Sequence, residues 1–342
     1  MKKIKTILVT GAAGFIGYHI SHYLLKNNWK VLGVDSITNY YDQKLKIARE
    51  SILKKFSNYM SFKEDISLKN SLFNIFKTYK PNFVLHLAAQ AGVRNSLTNP
   101  RDYLKSNIIG TFELLEACKA FPPSHLVIAS TSSVYGNIKT PTFKEIYRSD
   151  QQISFYASSK KATENFAHSY SHIYKIPTTV VRFFTVYGPW GRPDMALFKF
   201  TKNIYENKEI LLFNHGNMIR DFTYIDDLTK ALNLIIKNSP QKKNKNINLS
   251  IDTLSDVAPF RVVNIGGGKP VKLIDFIKTL EKTIGKKAKK KLVNMQIGDV
   301  ASTHSDVKLL YQLTGYKPDT DHKYGIKKFV EWYNSYYNFN RK

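Results

Sequence analysis

The stretch Thr6-Ile7-Leu8-Val9-Thr10-Gly11-Ala12-Ala13-Gly14-Phe15-Ile16-Gly17 decides the fold. Thr6–Thr10 is short and apolar, as a buried strand must be. Glycines at 11, 14 and 17 form a tight turn, and a helical pattern then runs over about 14–27. A strand that passes through glycine into a helix brings free backbone N–H groups close to a bound anion, and the helix dipole favours negative charge there. Glycine also serves tight strand–helix turns for steric reasons alone, so the turn gains its meaning from the residues downstream.

Downstream lies a second apolar run, Val31–Val34, ending in Asp35, eighteen residues past Gly17. An acid at that point accepts hydrogen bonds from an adenosine ribose diol and repels a 2′-phosphate. The pattern therefore predicts a dinucleotide site for NAD rather than NADP. Asp65-Ile66, after a third strand, is placed to meet the adenine.

Further strands are predicted at Met60–Lys63, Phe83–Leu87, Leu126–Ser130 and Thr178–Phe183. Helices are predicted over about 42–56, 68–79, 101–120 and 156–174, with Asn99-Pro100 as N-cap and first helical residue of the fourth. Strand–helix alternation with near-continuous apolar strands predicts an α/β fold, a Rossmann-type doubly wound parallel sheet. From about 185 the composition shifts to Gly- and Pro-rich loops such as Tyr187-Gly188-Pro189-Trp190-Gly191-Arg192-Pro193, which marks a smaller C-terminal α+β lobe. The expected division is 1–184 for cofactor and 185–342 for substrate, with segments near 222–239 and 260–266 returning to the first domain. Residues 238–255 are polar and read as an exposed loop, and Lys286–Lys291 as a solvated basic run.

The chain has 342 residues, with 52 basic and 26 acidic side chains and a net charge of +26. That charge alone suggests nucleic acid. The excess is nearly all lysine, however, scattered through the chain, whereas phosphate and base recognition favours arginine's planar fork. No apolar run approaches the ~18 residues of a membrane span, and the apolar stretch after the basic start is too short for a signal peptide. A soluble cytoplasmic protein with no membrane or nucleic-acid partner is expected. One cysteine, Cys118, excludes an internal disulfide and a cysteine metal cage, and it reads as core. His168 and His172 have the spacing of zinc ligands without a third partner, so no metal is expected. Trp332, Tyr333, Tyr336 and Tyr337 read as packing for a terminal helix.

Tyr156-Ala157-Ser158-Ser159-Lys160 opens a predicted helix, and at i and i+4 the phenol and ammonium share a face. The nearby cation and a bound nicotinamide would lower the phenol pKa, so tyrosinate could act as a base near neutrality. A hydroxyl from Ser130-Thr131-Ser132-Ser133, at a strand end, could hydrogen-bond the reacting oxygen.

These motifs resemble the extended short-chain dehydrogenase/reductases of the NAD-dependent epimerase/dehydratase family, and among them the UDP-glucuronate 4-epimerases. The resemblance covers nearly the whole chain. It rests on GAAGFIG at 11–17, DSITNYYD at 35–42, HLAAQAGVRNSL at 86–97, SSVYG at 132–136, YASSKKATE at 156–164, RFFTVYGPWGRPDMALFKF at 182–200 and RDFTYIDD at 220–227.

The resemblance implies epimerisation of UDP-glucuronate to UDP-galacturonate through a transient 4-keto sugar, feeding polysaccharide biosynthesis, with a UDP-glucose or UDP-N-acetylglucosamine 4-epimerase as the alternative. Tyr156 would be the base, Thr131 the hydroxyl partner and Lys160 the ribose-holding ammonium. Gly11, Gly14, Phe15, Ile16, Gly17, Asp35, Asp65, Ile66, Leu87, Ala88, Ala89, Gln90, Asn107, Tyr156 and Lys160 would surround NAD. Ser132, Ser133, Thr185, Arg192, Arg220 and Asp299 would hold the substrate. Related dehydratases and decarboxylases carry acids after the threonine, where this chain has Ser132 and Ser133. Typical UDP-galactose 4-epimerases have Asn at the Thr185 position. Many relatives place a second phosphate arginine where Gln296 stands. Arg192 also has the option of pairing with Asp194, and Asp299 of capping a turn. A homodimer through 101–120 and 156–174 is a further implication.

Overall fold

The computed structural model describes residues 5–240, 248 and 250–339. Residues 1–4 and much of the predicted 238–255 loop lie outside that range. β1 (Thr6–Thr10) leads to α1 (Phe15–Lys26), β2 (Lys30–Val34), α2 (Gln43–Leu53), β3 (Tyr59–Phe62), α3 (Phe73–Tyr79) and β4 (Phe83–His86). Then come α4 (Val93–Thr98), α5 (Pro100–Tyr103), a π-helical turn at Leu104–Ile109, α6 (Gly110–Ala120), β5 (His125–Thr131), α7 (Phe155–Tyr174) and β6 (Thr178–Phe183). The remainder is β7 (Thr185–Tyr187), α8 (Ala196–Tyr205), β8 (Glu209–Leu212), β9 (Ile219–Tyr224), α9 (Ile225–Ile236), β10 (Phe260–Ile265), β11 (Pro270–Lys272), α10 (Leu273–Ile284), β12 (Lys289–Leu292), α11 (Lys308–Thr314) and α12 (His322–Tyr336).

Seven strands form one parallel sheet in the order β3-β2-β1-β4-β5-β6-β10. Both faces are covered, which is why β5 and β6 are buried along their whole length and read as continuous apolar runs. Alternate residues serve opposite layers: Ile7, Val9, Val127 and Val181 pack on one face, and Leu8, Leu126, Ile128 and Val180 on the other. The strand order reverses between β1 and β4, and a crevice at such a point, beyond the carboxyl ends of the strands, is where this topology binds ligands. The chain leaves the large sheet at Phe183 and enters a three-stranded sheet, β11-β9-β7, at Thr185. From there α9 returns to pack on α1, and β10 pairs with β6.

Several local expectations are corrected. The predicted 101–120 helix is present without interruption, but its geometry widens to a π turn at Leu104–Ile109. Asn99 precedes Pro100 but makes no side-chain cap; its Nδ2 donates to Asn95 Oδ1 and Thr98 Oγ1. The helix expected from 68 starts only at Phe73, the preceding residues being held in turns. The basic run is exposed as expected, and its second half forms β12, which pairs with β8, Lys290 reaching back to Glu281 at 2.8 Å.

Candidate active site

The glycine turn is shaped by backbone contacts. Gly11 has φ +72°, a conformation that favours glycine, and a Cβ there would sit 2.9 Å from the Ala88 nitrogen. A Cβ at Gly17 would overlap the Gly11 carbonyl oxygen. Gly14 N-caps α1, and no side chain makes a capping hydrogen bond there. The turn is thus a cradle that side chains would fill, with its dipole end open to an anion, and it suits the pyrophosphate of NAD.

Asp35 closes the β2 end, taking N–H donors from Ala13 (3.1 Å) and Ile37 (2.8 Å) and the Lys46 ammonium at 3.0 Å. Its position fits a ribose diol; Lys46, unremarked in the sequence, shares the carboxylate. Asp65 accepts from the Ser67 hydroxyl at 2.6 Å and pairs with Lys105 at 2.9 Å, beside buried Ile66. Leu87 and Ala88 donate their N–H groups to Thr10 Oγ1 at the end of β1. Asn107, in the π turn, is fully buried and its amide is already engaged: Oδ1 accepts from Gln90 N, and Nδ2 donates to Gln90 O and to Ser159 Oγ. It therefore holds the 87–90 segment against α7.

Ser154 starts α7 by accepting from Ala157 N at 3.2 Å, which sets the register of Tyr156 and Lys160. Thr131 ends β5, accepts from Ser133 N at 3.1 Å and faces Ser133 Oγ at 3.2 Å. Burial pushes the Tyr156 phenol above its ordinary value, while the Thr131 hydroxyl bonded to it and the Arg192 charge pull it back. Without the nicotinamide charge that the expected lowering includes, the net direction is upward, because burial outweighs the groups that favour the phenolate. Burial pushes the Lys160 ammonium down to about 8, with Glu164 opposing. Behind this pair Glu164 is clamped by Arg182 (Nε–Oε1 3.0 Å, Nη2–Oε2 2.7 Å) and by the Ser130 hydroxyl at 2.6 Å. That buried cluster ties β5 and β6 to the helix carrying Tyr156.

Arg192 comes from the loop after β7. It pairs with Asp194, donates to the Ala91 carbonyl at 3.3 Å, and lies 5.9 Å from the Tyr40 ring centre. Tyr40 donates to Ala91 O and Asp194, and Tyr103 donates to Gly92 O at 2.6 Å with its ring edge-on to Tyr156. Tyr156, Thr131, Ser133 and Arg192 are thereby brought to one locus. Thr185 begins β7 at the same sheet end as Thr131, whose register partner is Phe183. Arg220 and Asp299 form a separate pair at 2.9 Å, and Asp299 also accepts from Val300 N, the turn contact that the sequence allowed it. His168 contacts Ser255, and His172 the Val257 carbonyl.

Sequence reasoning missed Arg49. It is fully buried and donates to the Ala13, Trp190 and Gly191 carbonyls and to the Tyr41 hydroxyl, joining the glycine turn to the Arg192 loop. The signal was available, since Leu45, Arg49 and Leu53 fall at i, i+4 and i+8 on the buried face of α2.

Residues 7–250 match the NAD dependent epimerase/dehydratase family. The chain is 45% identical over 331 residues to a Rhizobium meliloti protein named "Probable UDP-glucuronate 4-epimerase", covering 96% of this chain and 97% of that one. It is 46% identical over 347 residues to UDP-glucuronate 4-epimerase 4 of Arabidopsis thaliana, covering 98% of this chain and 77% of that protein. A crystal structure of UDP-glucuronic acid 4-epimerase from Bacillus cereus, with UDP-glucuronic acid and NAD, superposes with a TM-score of 0.87 at 34% identity, covering 97% of this chain and 100% of the other.

Proposed function

The chain belongs to the NAD dependent epimerase/dehydratase family, and from that premise we infer that it interconverts UDP-glucuronate and UDP-galacturonate at C4. One observation carries the choice within the family. The turn after Thr131 bears Ser132 and Ser133 and no acid, and the Arg192 guanidinium acts on the same Tyr156.

Tyr156 removes the proton from the sugar 4-hydroxyl, and the Thr131 hydroxyl steadies that oxygen by hydrogen bonding. NAD, when bound, supplies the hydride acceptor at C4 and afterwards the donor, so the cycle is redox-neutral. Lys160 holds the cofactor's ribose and favours the phenolate. Once the 4-keto sugar has turned over, Tyr156 returns its proton to the oxygen while hydride arrives on the opposite face.

The intermediate is a β-keto acid and loses CO₂ when its carboxylate bond aligns with the carbonyl π system. Ser132, Ser133, Thr185 and Arg192 supply hydroxyls and a guanidinium to hold the carboxylate out of that alignment. Without an acid at 132 or 133, neither water elimination nor enolate protonation is assisted. Arg220 and Asp299 serve the UDP portion.

The reading extends to a homodimer through 101–120 and 156–174, supported by Leu104, Ile109, Phe112, Phe166 and Ile173, which are 38–62% exposed on those segments. It also carries cytoplasmic action and supply of a surface polysaccharide; no described helix is long and apolar enough to cross a membrane.

The test is incubation of purified protein with UDP-glucuronate, with and without added NAD, followed by anion exchange and proton NMR. UDP-galacturonate without net NADH is expected. A UDP-pentose would mean decarboxylation. Turnover of UDP-glucose or UDP-N-acetylglucosamine alone would mean a neutral-sugar epimerase.

A further inference from the structure

The turn Gly188-Pro189-Trp190-Gly191 follows β7 and leads into Arg192, and its backbone is strained, since Trp190 has φ +60°. That left-handed region is sparsely populated for so bulky a side chain and persists only where the surroundings hold it. Three consecutive carbonyls are held. Pro189 O meets Nε2 of His19 on α1 at 2.9 Å, and Trp190 O and Gly191 O accept from Arg49 on α2. A carbonyl only accepts, so the His19 proton sits on Nε2. Burial keeps that ring neutral, pushing its pKa down to about 3. The Trp190 ring is wedged between Tyr18 of α1, with centres 5.5 Å apart, and Trp332 and Tyr336 of α12 at 5.3 and 5.1 Å.

This strap decides what Arg192 can offer. Arg192 Nε and Nη2 donate to Asp194, and Nη2 also donates to Ala91 O at 3.3 Å. Of the five N–H donors of a guanidinium, the two on Nη1 remain, and among the described residues no hydrogen bond engages them. Arg192 follows Gly191 directly, so a turn that relaxes from its strained φ carries the free edge of the guanidinium with it. Arg49 also braces the glycine cradle through the Ala13 carbonyl, which mixes cofactor and substrate effects in one side chain. His19 is the separable member. Among the described residues its one hydrogen bond goes to the turn alone.

We propose that His19 is a positioning residue for uronate recognition: through the Pro189 carbonyl it holds the 188–191 turn in the conformation that aims Arg192 at the sugar carboxylate. The proposal rests on reading Arg192 as the carboxylate ligand of a UDP-uronate enzyme. A histidine that only filled space beside Phe15 and Tyr18 would account for the ring contacts on α1, but its replacement would not act on one ligand selectively.

The test is calorimetric binding of UDP-glucuronate, UDP-glucose and UDP to NAD-loaded protein in a Tyr156→Phe background, where the ligand is not turned over. His19, His19→Leu and His19→Gln are compared. The turn is watched separately by fluorine NMR of fluorotryptophan-labelled protein, the Trp190 resonance being assigned by its loss in Trp190→Phe. His19→Leu should weaken UDP-glucuronate about tenfold, the scale of one lost hydrogen bond, and leave UDP-glucose and UDP within about twofold. It should move the Trp190 resonance and leave NAD content unchanged. His19→Gln keeps an N–H donor and should restore both affinity and resonance. Equal weakening of all three ligands overturns the proposal, as does unchanged UDP-glucuronate affinity in His19→Leu, or a glutamine variant no better than the leucine one. A parent protein that binds UDP-glucuronate no tighter than UDP-glucose overturns the uronate reading instead. In that case a Trp190 resonance moved by leucine and restored by glutamine still supports His19 as the residue that sets the turn, and an unmoved resonance overturns it.

Discussion

Arg192 and Asp194 meet through two nearly parallel contacts, Nη2–Oδ2 at 2.5 Å and Nε–Oδ1 at 3.0 Å. The carboxylate fixes the plane of the guanidinium, and Tyr40 bonds the same Asp194 oxygen at 3.2 Å from the far side. Held this way, the guanidinium is preorganised for a second carboxylate, the one carried by the sugar.

Asp194→Asn removes the charge that orients Arg192. The KM for UDP-glucuronate should rise about tenfold, the scale of a charge-assisted hydrogen bond, and a small UDP-pentose fraction should appear as the carboxylate grip loosens. Steady-state kinetics with product analysis by NMR checks both. An unchanged KM would show that Arg192 is held well enough by the Ala91 carbonyl alone.

Gly17→Ala places a Cβ on the Gly11 carbonyl oxygen. The turn must open, so the purified variant should lack NAD, as read from the absorbance of the acid-released nucleotide, and should melt several degrees lower. Gly285→Ala is the control: nothing lies within 4 Å of its Cβ, so only its φ of +78° is strained, and its NAD content should match wild type.

Arg49→Met strands the Ala13, Trp190 and Gly191 carbonyl oxygens inside the protein. Buried oxygens without donors make a loss of about 2–4 kcal/mol reasonable. Both a lower denaturation midpoint and release of NAD on dialysis are expected, because one side chain braces the glycine turn and the Arg192 loop together. Loss of stability with full cofactor retention would separate Arg49 from the site.

Glu145 gives a pH prediction. Burial pushes its carboxyl up to about 7, opposed by the Asn264 N–H at 2.8 Å and reinforced by Asp306. The unfolded chain ionises this group near its ordinary value of about 4.3, while the folded protein still holds the proton. Its contribution to stability is therefore fully present below the unfolded value and lost as pH rises to about 7. Relative to Glu145→Gln, the wild type should lose melting temperature between about pH 4.5 and 7 and run parallel above that. Parallel curves throughout would mean that the carboxyl ionises normally.

The parallel sheet was readable because its inner strands are buried on both faces and so appear as short, mainly apolar runs. Tyr156, Lys160, Thr131 and the glycine turn were readable because short-range spacing sets their geometry. The π turn inside the 101–120 helix was not, since it goes with what Asn107 and Tyr103 contact across the fold. Arg49 hid in a helix rich in charged residues, where only its spacing from Leu45 and Leu53 marks it as inward. Lys46 was lost among many basic residues: its pairing with Asp35 is a property of three dimensions. The upward push on Tyr156 likewise depends on burial that no local pattern reports.

In the proposed cycle, hydride leaves C4 and returns to the same carbon without escaping. The decisive experiment is incubation of UDP-glucuronate deuterated at C4 with the protein in ordinary water, followed by NMR and mass spectrometry. UDP-galacturonate should form with deuterium still at C4 and no solvent hydrogen there. Tyr156→Phe and Thr131→Val should give no product beyond about a thousandth of the wild-type rate. Product carrying solvent hydrogen at C4, or a UDP-pentose in its place, would contradict this cycle.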